Sequence, residues 1–97
     1  MRLTQNEIKI IKTNILSYIR DAQIILFGSR IYDDKRGGDI DIFVKTAQKI
    51  NLADQIKILA NLEMSGILRK VDMIIKDPAT KDQPIFETIE KEGILLW

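Results

Sequence analysis

The 97-residue sequence contains no cysteine and no histidine. The lack of cysteine excludes disulfides, a thiolate nucleophile and cysteine-ligated zinc. The lack of histidine excludes Ser-His-Asp and Cys-His catalysis and removes the usual imidazole base. Any chemistry must therefore come from carboxylates, hydroxyls, lysine, arginine and a bound metal ion.

Long apolar runs and an excess of one charge are also missing. Apolar runs are no longer than four residues, as at Ile24 to Phe27, far below the roughly 20 of a membrane span. Lys and Arg total 15 and Asp and Glu total 14, so a net charge of +1 gives no support to direct nucleic-acid binding. Because 45% of residues are hydrophobic and 30% charged, we expect one globular domain over residues 1–97 that is soluble, cytoplasmic and not membrane-bound.

The spacing of apolar residues predicts helices and strands in the order αββαβαβ, which is an α+β sandwich with a small mixed sheet. Thr4 and Glu7 form a predicted capping box, and Asn51 with Asp54 marks a second helix start. The predicted elements are a helix from about Thr4 to Arg20, strands at Ala22 to Phe27 and Asp39 to Val44, a helix from Asn51 to a stop at Gly66, a strand at Arg69 to Ile75, a helix from Pro84 closed by Gly93 as a C′ residue, and an edge strand at Ile94 to Trp97.

Paired carboxylates on a strand are the first candidate for chemistry. Asp39 and Asp41 alternate with Ile40 and Ile42, so both carboxylates point to one face of the strand. Two like charges this close repel each other and are costly to bury without a cation. Oxygen ligands at this spacing suit Mg²⁺ or Mn²⁺.

Asp72 is the third candidate carboxylate, because it interrupts the otherwise apolar strand that contains Val71 and Met73. If this strand lies beside the strand of Asp39 and Asp41, the three carboxylates share one face. Such a cluster can bind two metal ions for displacement at phosphorus. Asp72 can also accept the proton of an attacking hydroxyl.

Gly28, Ser29 and Arg30 follow the first strand and are candidate phosphate ligands. Gly28 permits close backbone approach, and Ser29 offers a hydroxyl and an N–H. Arg30 can bind phosphate oxygens with its guanidinium group. Lys45 and Lys76 come just after two strands, where contact with phosphate and ordinary solvent exposure are both open.

These motifs together resemble a known family. Leu26 to Arg30 (LFGSR) followed by Gly37 to Asp41 (GGDID) is similar to the signature of the DNA polymerase β-like nucleotidyltransferases, and most similar to their smallest members, the minimal nucleotidyltransferases or MNT proteins. The spacer from Arg30 to Gly38 has nine residues, and that of the well-known MNT antitoxins has about ten.

The resemblance implies an enzyme, a nucleotidyltransferase of the protein adenylyltransferase type. Gly28 and Ser29 would bind the nucleoside triphosphate, with Arg30 beside them as the candidate that the residues alone suggest, and Asp39, Asp41 and Asp72 would be the metal-binding catalytic carboxylates. The enzyme would use Mg²⁺ or Mn²⁺ to move a nucleotide monophosphate, with ATP as the expected donor, to a hydroxyl on a partner. The partner it implies is a helical HEPN-type protein, with this chain as the antitoxin of the pair.

Two alternatives remain open on the sequence. The chain could be a non-catalytic nucleotide-binding module that neutralises a helical HEPN-type partner by binding, and it could assemble as a homo-oligomer. Asp77 and Asp82 are expected to be turn and cap residues. Ile94 to Trp97 (ILLW) is expected to lie in the core or in an interface where a partner docks.

Overall fold

Seven elements follow one another in the computed structural model, which describes residues 3–28, 40–67 and 69–97. Their order is the predicted αββαβαβ, and the α+β class is confirmed. The elements are α1 (Gln5–Tyr18), β1 (Gln23–Phe27), β2 (Ile40–Lys45), α2 (Leu52–Met64), β3 (Val71–Lys76), α3 (Pro84–Glu92) and β4 (Ile94–Leu95).

The four strands form one sheet in the spatial order β3-β2-β1-β4. β1 pairs with β2 and with β4 in antiparallel fashion, whereas β2 and β3 are parallel. A parallel pair needs a long crossover connection, and α2 supplies it. As a result β2 and β3 begin at the same end of the sheet, which is also the end where β1 finishes.

Each face of the sheet carries its own hydrophobic cluster. Ile25 and Phe43 pack against Phe86 and Ile89 of α3, and the two phenyl rings lie 5.3 Å apart. The opposite face packs against α1 and α2 through buried residues at alternate strand positions: Ile24, Leu26, Ile40, Ile42 and Val44. Since strand side chains alternate between faces, Asp41 and Asp72 fall on the α3 face.

The first two predicted helix starts are confirmed by their hydrogen bonds. The Glu7 N–H donates to Thr4 Oγ1 at 3.0 Å, and the Thr4 N–H donates to Glu7 Oε1 at 3.0 Å, which completes the capping box. The Asp54 N–H donates to Asn51 Oδ1 at 2.8 Å. These bonds satisfy donors that a helix N-terminus leaves without intrahelical partners.

The apolar residues of α2 have unequal exposure. Leu62 is buried, but Leu52 and Ile56 are 69% and 58% exposed. Ile58, one turn before Leu62, takes the other core position. Gly66 ends this helix as predicted, with a φ of +111°.

Gly93 ends α3, although not in the way expected of a glycine after a helix. It is the C-cap itself and its backbone is extended, with φ −73° and ψ 168°, whereas a C′ glycine is typically left-handed. A Cβ at this position would collide with Ile25 Cγ2 and come within 2.6 Å of the Ile89 carbonyl oxygen. The glycine is therefore needed for space, since it lets the chain turn closely over β1 into the edge strand β4.

No helix in the described part of the chain is long and apolar enough to span a membrane.

The predicted edge strand at the C-terminus is confirmed over Ile94–Leu95. Ile94 and Leu96 pack against the core, whereas Leu95 and Trp97 are more than half exposed. The Lys12 ammonium lies 4.2 Å from the centre of the Trp97 ring, so the indole rests on α1.

Candidate functional site

Gly28 follows the last residue of β1 in a left-handed conformation, with a φ of +71°. A Cβ at this position would collide with Oδ2 of Asp41 and lie 3.1 Å from its Cγ. Gly28 is thus required both by its backbone angle and by the carboxylate beside it. The predicted glycine turn and the predicted carboxylate strand meet at this point.

Asp41 and Asp72 are register partners on the parallel strands β2 and β3. Residues in register on adjacent strands lie about 5 Å apart and point to the same face. Asp41 is also the register partner of Phe27 on β1, so Phe27, Asp41 and Asp72 form a row across three strands. This is the arrangement that the sequence predicted if the strands of Asp41 and Asp72 were neighbours.

The two carboxylates differ in what surrounds them. Asp41 is half-buried beside Gly28. Asp72 Oδ1 lies 3.7 Å from the Lys70 ammonium, and both of these side chains are substantially exposed. A surface ion pair of this kind contributes little to stability, so Asp72 keeps the ability to bind a further cation.

Ser29, Arg30 and Asp39 lie outside the described residues, and their predicted roles stay predictions. Within residues 3–28, 40–67 and 69–97 no group of three potential metal ligands comes together. The described part of the site consists of Gly28, Asp41 and Asp72. These residues fit a divalent cation, because two carboxylates share one face of the sheet and one of them, Asp41, lies directly against the backbone of Gly28.

Lys45 and Lys76 end β2 and β3, four residues beyond Asp41 and Asp72 and roughly 13 Å along the strands. Lys45 Nζ lies 2.9 Å from Glu90 Oε1, and Lys76 Nζ lies 3.4 Å from Asp82 Oδ1. Both lysines therefore pair with carboxylates at the far end of the sheet. Of the two roles left open, contact with phosphate finds no support.

The far end also holds a carboxylate that sequence reasoning missed. Asp21 accepts hydrogen bonds from the Thr46 hydroxyl and from the Ala47 N–H at 2.8 Å, and these donors lower its pKa. The sequence signal was weak, because the two donors lie 25 and 26 residues away.

Asp77, by contrast, is a turn residue as predicted. It accepts from the Ile50 N–H at 2.8 Å and from the Thr80 hydroxyl at 2.9 Å, and these two bonds lower its pKa. A further bond from the Ala79 N–H at 3.0 Å closes the turn.

A pocket of about 210 Å³ lies between α3 and the end of β1, and sequence reasoning missed it as well. Its lining includes Gly28 and Phe27, so the pocket adjoins the row of Phe27, Asp41 and Asp72. The helix contributes Ile85, Thr88 and Glu92, which are spaced as one stripe of α3. That spacing was visible in the sequence, but the packing of α3 over β1 was not.

The family model described as "Polymerase beta, Nucleotidyltransferase" matches residues 8–97, which is nearly the whole chain. The chain belongs to this family. The glycine turn and two of the carboxylates named by the resemblance lie together in the fold, as the preceding geometry describes.

Two solved structures are similar to this chain in fold. One comes from the solved complex of the tri-AMPylated Shewanella oneidensis HEPN toxin with MNT antitoxin. The match has a TM-score of 0.67 and 28% sequence identity, and it covers 95% of this chain and 69% of the matched chain. The other is a candidate nucleotidyltransferase from Sulfolobus solfataricus, with a TM-score of 0.51 and 21% identity over 96% of this chain and 84% of that one. The second likeness shows the fold alone. Together with the family, the first confirms the predicted resemblance to MNT-type nucleotidyltransferases. No curated protein matches the chain.

Proposed function

We propose that this chain is a metal-dependent nucleotidyltransferase that moves a nucleotide monophosphate from a nucleoside triphosphate, ATP in the first instance, to a hydroxyl on a partner protein. The observation that carries the proposal is the junction of Gly28, Asp41 and Asp72 on one face of the sheet. Membership of the polymerase beta nucleotidyltransferase family supports the reaction class.

Each residue of the candidate site has its own role in the proposed reaction. Gly28 would let the triphosphate approach the backbone, and the N–H groups of Gly28 and Ser29 would donate hydrogen bonds to it. Asp41 and Asp72, with Asp39, would hold Mg²⁺ or Mn²⁺, which would offset charge on the phosphates and polarise the phosphorus. Arg30 would bind phosphate oxygens.

Bond changes in the transfer involve the acceptor hydroxyl and the α-phosphorus. The hydroxyl oxygen bonds to the α-phosphorus, the bond from that phosphorus to the bridging oxygen breaks, and pyrophosphate leaves. A carboxylate oxygen of Asp72 accepts the hydroxyl proton, because the chain has no histidine for this role. Asp72 suits it by being only partly buried, within reach of an acceptor arriving from solvent.

A helical HEPN-type protein is the proposed partner and acceptor, with this chain as the antitoxin of the pair. The similar solved complex contains a tri-AMPylated HEPN toxin beside its MNT antitoxin, which supports both the partner and the adenylyl group. An acceptor held in line with the phosphorus supplies much of the rate of such a transfer. A separate protein is the simplest source of that acceptor for a fold of this size.

The test is co-expression with a HEPN-type protein followed by intact-mass measurement of that protein. We expect a complex and a mass increase of one or more adenylyl groups. Asp41→Asn should abolish the added mass while the variant still folds, which thermal melting checks. Asp82→Asn is the matched control, since Asp82 is an exposed carboxylate at the far end of the sheet. Copurification without added mass in the wild-type chain would instead support the non-catalytic binding module.

A further inference from the structure

The pocket between α3 and β1 shares both a face and an end of the sheet with the candidate site. Phe27 belongs to the cluster on the α3 face, where Asp41 and Asp72 also lie. Gly28 lines the pocket and lies against the Asp41 carboxylate. A ligand whose phosphates sit at Gly28 therefore has this pocket within immediate reach.

Of the other pockets in the described part of the chain, two border β3. A larger one, of about 530 Å³, is lined by Leu59, Ile67 and Val71, which pack on the α1 and α2 face, opposite the carboxylates. Another surrounds Lys76 and Phe86 at the far end of the sheet. Neither includes Gly28, whereas the pocket between α3 and β1 does.

The lining has the chemistry of a site for a flat, partly polar ring. Phe27, Ile85 and Ile89 give it apolar walls, and Ile85 is 50% exposed despite being aliphatic. At about 210 Å³ it is smaller than the roughly 300 to 1,000 Å³ of pockets that enclose a whole drug-sized ligand. It therefore suits one ring system of a larger molecule whose remainder lies outside.

The acidic side chains of α3 differ in whether they already have a partner. On α3, Glu87 pairs with Lys91 at 3.1 Å and Glu90 pairs with Lys45 at 2.9 Å. Glu92 is different, because its carboxylate has no hydrogen-bond or ion-pair partner among residues 3–28, 40–67 and 69–97. An ionised carboxylate only accepts hydrogen bonds, so it favours a ring that carries donors.

We propose that this pocket holds the nucleobase of the bound triphosphate and that Glu92 favours bases carrying an exocyclic amino group. The inference rests on the proposed function and deepens it by naming what selects the nucleotide. The amino group donates to the Glu92 carboxylate, Thr88 offers a hydroxyl at the same rim, and the ring lies against Phe27 and Ile85. A base with a carbonyl in that position presents an acceptor to the carboxylate, and the two repel.

The experiment measures Kd by calorimetry in the presence of Mg²⁺ for the full chain. ATP and ITP form one matched pair of probes, CTP and UTP form another, and tripolyphosphate reports the phosphate site without a base. Within each pair the amino group is replaced by a carbonyl. The variants are Glu92→Gln, Thr88→Phe, which fills the pocket from an exposed position, and Glu87→Gln as the control on the same helix.

We expect the wild-type chain to bind the amino-bearing member of at least one pair about tenfold more tightly, the value of one hydrogen bond to a charged group. Glu92→Gln should bring that ratio close to one, whereas Glu87→Gln should leave it unchanged. Thr88→Phe should weaken binding of the preferred nucleotide at least tenfold and leave binding of tripolyphosphate unchanged.

The proposal is overturned if neither pair is discriminated, if Glu92→Gln behaves like Glu87→Gln, or if Thr88→Phe binds the nucleotide as the wild type does. In each of these outcomes the chain still binds ATP and tripolyphosphate, so the proposed function is not contradicted. If the wild-type chain binds neither ATP nor tripolyphosphate, the proposed function fails and the nucleobase pocket fails with it. Melting curves of each variant separate loss of binding from loss of folding.

Discussion

At the end of the sheet where β2 and β3 begin, Asp41 and Asp72 stand side by side on one face, with Gly28 packed against Asp41. At the opposite end, Asp21 and Asp77 are each surrounded by N–H and O–H donors. The same side chain is thus used in two ways within one small sheet. Near Gly28 two carboxylates lie side by side, and at the far end each carboxylate accepts hydrogen bonds from N–H and O–H donors.

The far-end carboxylates share a structural task. Asp21 bonds to Thr46 and Ala47, and Asp77 bonds to Ile50, so together they hold both ends of the connection between β2 and α2. Their hydrogen bonds favour the ionised form and stabilise the fold. The paired carboxylates near Gly28 gain no such stability from each other. Substitutions at the two ends should therefore separate function from stability, and the largest effect is expected at Gly28.

Gly28→Ala should reduce nucleotidyl transfer by about a hundredfold or more, since a displacement of about 1 Å at a reacting centre can cost that much. The added Cβ collides with the Asp41 carboxylate and must displace it. The left-handed backbone adds a stability loss of roughly 1–2 kcal/mol. Transfer is measured by adenylylation of the co-expressed partner, and stability by thermal melting.

Gly66→Ala is the matched control for backbone strain. Gly66 also has a positive φ, of +111°, but the nearest atom to an added Cβ is Ile10 Cδ1 at 4.0 Å. The variant should lose about 1–3 kcal/mol of stability and keep its transfer rate. Equal loss of transfer in both variants would mean that strain alone, and not the contact with Asp41, explains the result at Gly28.

The next effect concerns stability at the far end. Asp77→Ala should lower Tm by several degrees and leave transfer per folded molecule unchanged, because it leaves the Ile50 and Ala79 N–H groups without their acceptor. Asp82→Ala removes an exposed carboxylate that pairs only loosely with Lys76, and its Tm should match the wild type. A Tm for Asp77→Ala equal to that of Asp82→Ala would contradict the structural role.

Local patterns in the sequence predicted much of this architecture. The Thr4–Glu7 capping box and the alternation around Asp72 depend on neighbours three or fewer residues away, and both are present in the structure. The place of Asp72 beside Asp41 needed one further assumption, that β2 and β3 are neighbours. The crossover through α2 fulfils it.

Contacts between distant segments were not predictable in the same way. Asp21 reaches residues 25 and 26 positions away, and nothing local distinguishes it from an exposed turn aspartate. The exposure of Leu52 and Ile56 depends on how α2 rotates against the sheet, which a stripe of apolar residues does not determine alone. Glu92 belongs to the pocket only because α3 crosses over the end of β1.

The smallest expected effect is a change in acid stability at the far end. The Thr46 hydroxyl and the Ala47 N–H hold the pKa of Asp21 below its ordinary value of 3.8. A carboxyl whose pKa is lowered by folding stabilises the fold above the ordinary pKa, and this stabilisation is lost as the pH falls through the lowered one. Thr46→Val removes the hydroxyl donor, so the pKa of Asp21 should rise toward its ordinary value. The variant should therefore be less stable than the wild type at neutral pH, and the difference in Tm should shrink as the pH falls below 3.8. Thr13→Val, an exposed position on α1, is the control, and its small difference from the wild type should not depend on pH. Thermal melting across this pH range checks both variants, and a Thr46→Val deficit that stays constant would show that the hydroxyl acts through packing and not through the charge of Asp21.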